Sequence, residues 1–204
     1  MSEYLAQFNN YLQKFVPFTE AQLAVFNKTC NVLHISKGTV IIRANQQQAY
    51  LYFICKGIVR NFIEIDDGTT KTYNFRMENM TSTGYFNYNY QNDLKAIVNV
   101  ECLEDCVLVQ VPMSLIMQVV EDFKYGDRMG RYLAEAHVIE LVNFLVDRDT
   151  KTLLERYNNL EKIFPNIHQR VPQHMIASYL GTTPVHLSRI KKSRKRSLTN
   201  VNTF

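Results

Sequence analysis

The sequence predicts an α+β fold: an antiparallel β-roll preceded and followed by helices. Three observations carry that prediction. The hydrophobic period is helical at the start, changes to two residues from Cys30 to Val111, and is helical again after Pro112. Segment 127–147 repeats apolar residues in alternating steps of three and four, the seam of one long helix. Segment 173–192, QHMIASYLGTTPVHLSRIKK, has the pattern of two short helices joined by a tight turn.

In chain order, Tyr4, Leu5, Phe8, Tyr11 and Leu12 predict a first helix over 3–14. Val16-Pro17 interrupts it. A second helix begins at Thr19, where Gln22 three residues on completes the form of a capping box. The runs CNVLHIS, TVIIRA, YLYFIC, GIVRNFIEI and TTKTYNFR are short, β-branched and aromatic, and Gly38, Gly57 and Asp67-Gly68 punctuate them. Asp66-Asp67-Gly68-Thr69 predicts a hairpin turn. MENMTSTGYFNYNYQNDLK is polar and tyrosine-rich without a clean period and reads as a loop with at most one helical turn. Strands resume at AIVNVECL and CVLVQV, joined at Glu104-Asp105, and the regular spacing suggests a barrel or roll.

Pro112 opens a short helix, MSLIMQVVEDF. The long helix over 127–147 places Met129, Tyr132, Ala136, Ile139, Asn143 and Val146 on its seam, with Leu133, Leu141, Phe144 and Leu145 on a second apolar face. One face fits the chain's own domain and the other a second copy of it, Asn143 being a register device; the alternative is that both faces are internal. Leu153, Leu154, Tyr157 and Leu160 predict a helix over 150–164 that Pro165 ends, and 166–172 is short enough for a small hairpin.

Within 173–192, Gly181 suits a left-handed position after the first helix, Thr183 an N-cap and Pro184 the first turn of the second helix. Ile176, Leu180, Leu187 and Ile190 form one shared seam, and Ala177 lets the helices cross closely. The second helix then presents Pro184, Val185, Ser188, Arg189 and Lys192 outward, the face that a DNA-binding helix-turn-helix lays in the major groove. With Gln173 and Thr183 at the two helix starts, these are the candidate DNA-binding residues. An ordinary helical hairpin is the alternative, and charge argues against it. Residues 151–204 hold ten Lys/Arg and two Asp/Glu, whereas residues 1–150 hold thirteen and seventeen. Double-stranded DNA is the partner that such a basic unit fits.

The start, MSEYLAQFNN, lacks a charged region and an apolar run, and no stretch reaches the ~20 apolar residues of a membrane span. A cytoplasmic chain without membrane contact is therefore expected, with Cys30, Cys55, Cys102 and Cys106 reduced. Cys102 and Cys106 lack a further His or Cys nearby and, on strands, are not expected to share a face, so no metal site is predicted. No glycine-rich phosphate loop, paired carboxylates or nucleophile with its base is recognisable, and His137 with Glu140 is the nearest chelating pair, so the sequence does not read as an enzyme.

The order of elements resembles the Crp/Fnr family of bacterial transcription regulators. ECLEDCVLVQVP is similar to the closing strands of that family's cyclic-nucleotide-type roll, and VPQHMIASYLGTTPVHLSRIKK to a branch common in Bacteroidetes-type bacteria. The resemblance implies a jelly-roll-like effector domain over 1–124, a dimerisation helix and linker over 125–149, and a winged helix-turn-helix over 150–204. It also implies a homodimer on a palindromic site, contact with RNA polymerase if the protein activates, and an effector pocket between roll and long helix.

Cyclic-AMP-binding members carry Gly-Glu-Leu and, further on, Arg-Ser-Ala. The glutamate holds the ribose and the arginine the phosphate. Here the Arg-Ser pair falls on Ala96-Ile97, and Gly-Glu near Gly84-Tyr85 or Tyr85-Phe86. Lys95 is adjacent but offers a point charge rather than a fork. Cyclic AMP is not expected, and no other cofactor is assigned. Iron–sulfur members need an N-terminal cysteine cluster, which residues 1–29 lack, and His34 with Cys55 is a poor case for haem. Phe62, Tyr73, Phe75, Tyr85, Phe86 and Lys95 are the candidate effector residues; a pocket filled by its own aromatic side chains is the alternative. On the recognition helix, Val185 and Pro184 replace the family's glutamate and the arginine before it, while Arg189 keeps a base-reading position.

Overall fold

The computed structural model describes residues 2–65, 68–84 and 95–201, with side chains to Ser193. Tyr85, Phe86 and the Asp66-Asp67 half of the expected hairpin turn lie outside the described residues. The chain forms two compact units, Met1–Ile63 with Tyr73–Val138, and Glu64–Thr72 with Ile139–Phe204. The long helix expected over 127–147 runs through the boundary between them.

The first unit opens with α1 (Glu3–Leu12) and α2 (Glu20–Thr29). Thr19 caps α2 through a reciprocal box with Gln22, as the sequence predicts. Eight strands follow: β1 (Asn31–Ile35), β2 (Val40–Ile42), β3 (Tyr50–Lys56), β4 (Val59–Glu64), β5 (Thr70–Arg76), β6 (Thr81–Ser82), β7 (Asn99–Cys102) and β8 (Cys106–Pro112). They form two four-stranded sheets, β1-β8-β3-β6 and β2-β7-β4-β5. The β7–β8 connection passes from one sheet to the other, as a jelly-roll requires. β6 lies in the segment that reads as a loop in the sequence.

Both faces of the first sheet are covered, which explains the nearly continuous apolar run of β8. Leu108 and Cys106 enter a core between the sheets with Ile42, Ile54, Val59 and Val100. Val107, Val109 and Val111 point the other way, into a core with Phe8, Phe26 and Phe53, and with Leu115 and Val119 of α3 (Met113–Asp122). Helix α4 (Gly126–Thr150) starts hard against α3: a Cβ on Gly126 would lie 1.8 Å from the Val119 carbonyl oxygen. Met129 belongs to this same core and is 1% exposed. It therefore does not face a second copy, and the expected seam loses its first position. A heptad pattern marks which residues share a helix face, but not whether the chain's own domain already covers it.

In the second unit, α4 continues into α5 (Leu153–Ile163), α6 (Ile167–Arg170), α7 (Gln173–Tyr179) and α8 (Pro184–Val201). Thr152 and Glu155 form a second capping box, at the start of α5. Lys151 and Asn159 both bond the Asp147 carboxylate, each at 2.7 Å, where α4 gives way to α5. Tyr179 meets the Phe144 ring at 5.4 Å between centroids. The Thr72 N–H donates to Ser178 Oγ at 3.0 Å, joining the 64–72 segment to α7.

Two expectations fail here. The hairpin expected over 166–172 is the short helix α6, entered through Asn166 at φ 61°, a left-handed conformation that asparagine tolerates. No strand occurs among the described residues after Pro112, so the helix-turn-helix carries no wing there. Residues 191–201, where a wing would begin, continue α8.

Candidate nucleic-acid interface

Helices α7 and α8 bury the seam that the sequence predicts except at its last position, Ile190, which is half-buried. Ile176, Ala177, Leu180 and Leu187 are 1%, 0%, 3% and 0% exposed. The turn between them is a Schellman motif: Gly181 at φ 66° donates to the Ser178 carbonyl at 3.2 Å, and Thr182 donates to the Ala177 carbonyl at 2.9 Å. Arg156 Nη1 donates to the Leu180 carbonyl at 3.0 Å, satisfying another end of α7. Thr183 Oγ1 accepts the His186 N–H at 3.2 Å and so caps α8, and the Pro184 N, which has no hydrogen, wastes no bond there.

Gln173, at the start of α7, donates from Nε2 to the Pro184 carbonyl at 2.9 Å. This bond ties the beginnings of the two helices together. The result is an open groove of about 460 Å³ lined by Gln173, Pro184, Val185, Ser188, Arg189 and Lys192. Six of the seven candidate DNA-binding residues thus converge on one surface, and the seventh, Thr183, is the cap behind it. Val185 is 62% exposed on this surface. Arg189 is exposed and has no ion-pair partner among the described residues. On the opposite side, the Lys191 ammonium lies over the buried Tyr157 ring, 5.6 Å from its centroid. Basic residues in sequence therefore divide by role: Arg189 and Lys192 border the groove, while Lys191 steadies the helix.

The candidate effector residues are not gathered in the same way. Phe62 is 4% exposed and lies under the Arg60 guanidinium, 4.3 Å from ring centroid to Cζ. Arg60 in turn binds Glu101 at 2.9 Å. By strand alternation Phe62 and Arg60 share a face, opposite the one on which Val59 enters the inter-sheet core. Phe75 is fully buried, whereas Tyr73 is 48% exposed. Lys95 is exposed, in an isolated bridge with Gln47. The pair of buried Arg60 with half-buried Glu101 is not among the sequence-predicted sites; its signal is a lone arginine inside the apolar run GIVRNFIEI.

Where a phosphate-binding arginine would fall, Ala96 is 2% exposed and packed on Gly84, so tightly that a Cβ on Gly84 would lie 2.5 Å from the Ala96 Cβ. Ile97, the next residue, is 61% exposed and donates its N–H to the Gly84 carbonyl at 2.7 Å. Along the rest of the expected dimer seam, Tyr132 is half-buried and accepts a hydrogen bond from Arg128 Nε at 2.9 Å. Ala136 and Asn143 are exposed, as are Ile139 and Val146 at 60% and 49%. Leu141 and Leu145, assigned to the inward face, are also exposed.

Residues 32–123 match the family described as cyclic nucleotide-binding domain. The fold is similar to that of several solved structures. FixK2 from Bradyrhizobium japonicum is 15% identical, with a TM-score of 0.71 over 82% of this chain and 85% of that one. A protein from Eubacterium rectale assigned to the crp/fnr family of transcriptional regulators is 17% identical, at 0.68 over 96% and 89%. The chain has the Crp/Fnr fold. A third similar structure, the c-di-GMP-responsive global regulator CLP from Xanthomonas campestris, is 14% identical, at 0.63 over 88% and 93%. No curated protein sequence matches the chain. Among the described residues, no helix is long and apolar enough to cross a membrane.

Proposed function

We propose that this protein is a sequence-specific DNA-binding transcription regulator acting as a homodimer. The observation that carries the reading is the groove at Gln173, Pro184, Val185, Ser188, Arg189 and Lys192, set on a capped helix pair within a Crp/Fnr fold. Arg189 offers two parallel donors to a guanine edge, Val185 an apolar contact for a thymine methyl, and Lys192 a charge for the phosphate backbone.

A second copy supplies the symmetry. Val138, Ile139, Leu141, Val142, Leu145 and Val146 are 37–60% exposed along two turns of α4. Such a contiguous apolar surface on a helix is costly in water and is relieved by an identical helix. Two reading heads related by a two-fold axis then select a palindrome. RNA polymerase is a further partner if the protein activates. A cyclic nucleotide is not part of this reading: the resemblance puts the phosphate-binding cation at the position of Ala96, which is buried, and an unpaired buried phosphate is costly. The effector, if one acts, has other chemistry, and no step of this reading is catalytic.

The test is binding of the purified chain to a labelled duplex, followed over a salt series, beside sedimentation of the wild type and Val142→Glu. The reading expects affinity that falls steeply with salt, a dimeric wild type, and a monomeric variant with weaker binding. Absence of duplex binding at low salt refutes it and leaves the same face to a protein partner.

A further inference from the structure

The Gln173 side chain lines the same surface as Val185, Ser188, Arg189 and Lys192, yet it belongs to α7 and not to the helix that presents Arg189. Its Nε2 donates to the Pro184 carbonyl at 2.9 Å. A carbonyl oxygen only accepts, so this bond settles which end of the amide is nitrogen and which is oxygen. It also holds the amide against the start of α8, where Thr183 Oγ1 accepts the His186 N–H and fixes the first turn. One of the two amide N–H groups is thereby used. The other N–H and Oε1 remain, a donor beside an acceptor.

Each part of a DNA duplex answers that pair differently. Phosphate oxygens only accept, and they repel Oε1. In the major groove guanine shows two acceptors, N7 and O6. Thymine shows an acceptor and a methyl, and cytosine a single donor. Adenine alone sets an acceptor, N7, beside a donor, N6–H. We propose that Gln173 reads an adenine in each half-site, a reading that rests on the DNA-binding function proposed above. Oε1 accepts from N6–H and the remaining N–H donates to N7. Val185, exposed on the same surface, suits the methyl of a thymine, which an A·T pair supplies. The half-site is then read from two helices, a guanine by Arg189 of α8 and an adenine by Gln173 of α7. Because the Pro184 bond holds the amide before DNA arrives, little side-chain freedom is lost on binding.

The test selects binding sites from random duplex DNA with the wild type and with Gln173→Ala, then measures affinities by fluorescence anisotropy at fixed salt. The expected wild-type site carries an A·T pair in each half-site that Gln173→Ala relaxes, while the guanine set by Arg189 is kept. Exchanging that pair for another is expected to weaken the wild type roughly 5- to 150-fold. Replacing its adenine by 7-deazaadenine, which lacks only the N7 acceptor, is expected to cost part of that loss. Gln173→Ala is expected to be indifferent to both changes. Equal weakening of Gln173→Ala on every duplex makes the residue a phosphate contact and overturns the proposal. Loss of the guanine together with the adenine also overturns it, since the Pro184 bond would then only set the angle of α8. Wild-type indifference to 7-deazaadenine overturns it too, even where the variant does not fold. A wild type that selects no sequence overturns the regulator reading itself, and this proposal with it.

Discussion

Replacing Arg189 by alanine isolates base reading from folding. The side chain is exposed, borders the groove, and pairs with no carboxylate among the described residues, so its removal breaks nothing inside the protein. An exposed helix position changed to alanine shifts stability by no more than about 0.5 kcal/mol. A bidentate arginine–guanine contact is worth about 1–3 kcal/mol of discrimination, or roughly 5- to 150-fold in affinity. The expected outcome is a loss of that size on a selected site, with much less on random duplex. The loss is concentrated at one base pair of each half-site. Fluorescence anisotropy at fixed salt, on the selected site, its single-base variants and a random duplex, measures all three. Equal weakening on specific and random DNA would refute the base-reading role and make Arg189 a phosphate contact. Lys192→Ala is the internal contrast, expected to weaken every duplex alike and to lower the salt slope by about one unit.

Gly126→Ala places a Cβ 1.8 Å from the Val119 carbonyl, so backbone must move. The expected cost is about 1–3 kcal/mol by urea denaturation despite alanine's better helix propensity, and an unchanged midpoint contradicts the tight α3–α4 approach. Thr152→Ala removes the capping box of α5 and is expected to cost about 0.5–2 kcal/mol in the same assay; no change means the cap contributes nothing. Hydrogen bonds from Lys151 and Asn159 hold the Asp147 carboxyl below its ordinary value of 3.8. A depressed carboxylate stabilises the fold above that value, and the contribution is lost as pH falls through the lowered one. Because the group is partly exposed, the contribution is under about 1 kcal/mol. Asp147→Asn is therefore expected to flatten the acid limb of a stability–pH curve, and an unchanged limb shows that other carboxylates control it.

Much of this organisation is legible in local chemistry. Thr19 with Gln22, Gly181, and Thr183 before Pro184 each have one structural use, and each has that use here. The helix-turn-helix seam is readable for the same reason: Ile176, Ala177, Leu180 and Leu187 satisfy one geometric requirement together. What the sequence hides depends on distant partners. Met129 follows the seam's spacing, yet α3 and the roll reach it first. Phe62 and Phe75 are both aromatic and buried, but Phe62 is packed under Arg60. That Cys102 and Cys106 enter one core requires knowing that β7 and β8 lie in different sheets. The wing came from resemblance alone, and the polar run after Ile190, without strand alternation, continues the helix instead.

Selection of binding sites from random duplex DNA, with the purified chain and no added ligand, tests the central claim most directly. The account predicts an enriched palindrome with half-site centres about one helical turn apart and a guanine in each half-site that Arg189→Ala no longer enforces. Salt-sensitive binding to every duplex with no sequence enriched contradicts it, because the groove at Arg189 and Val185 would then hold DNA without reading it.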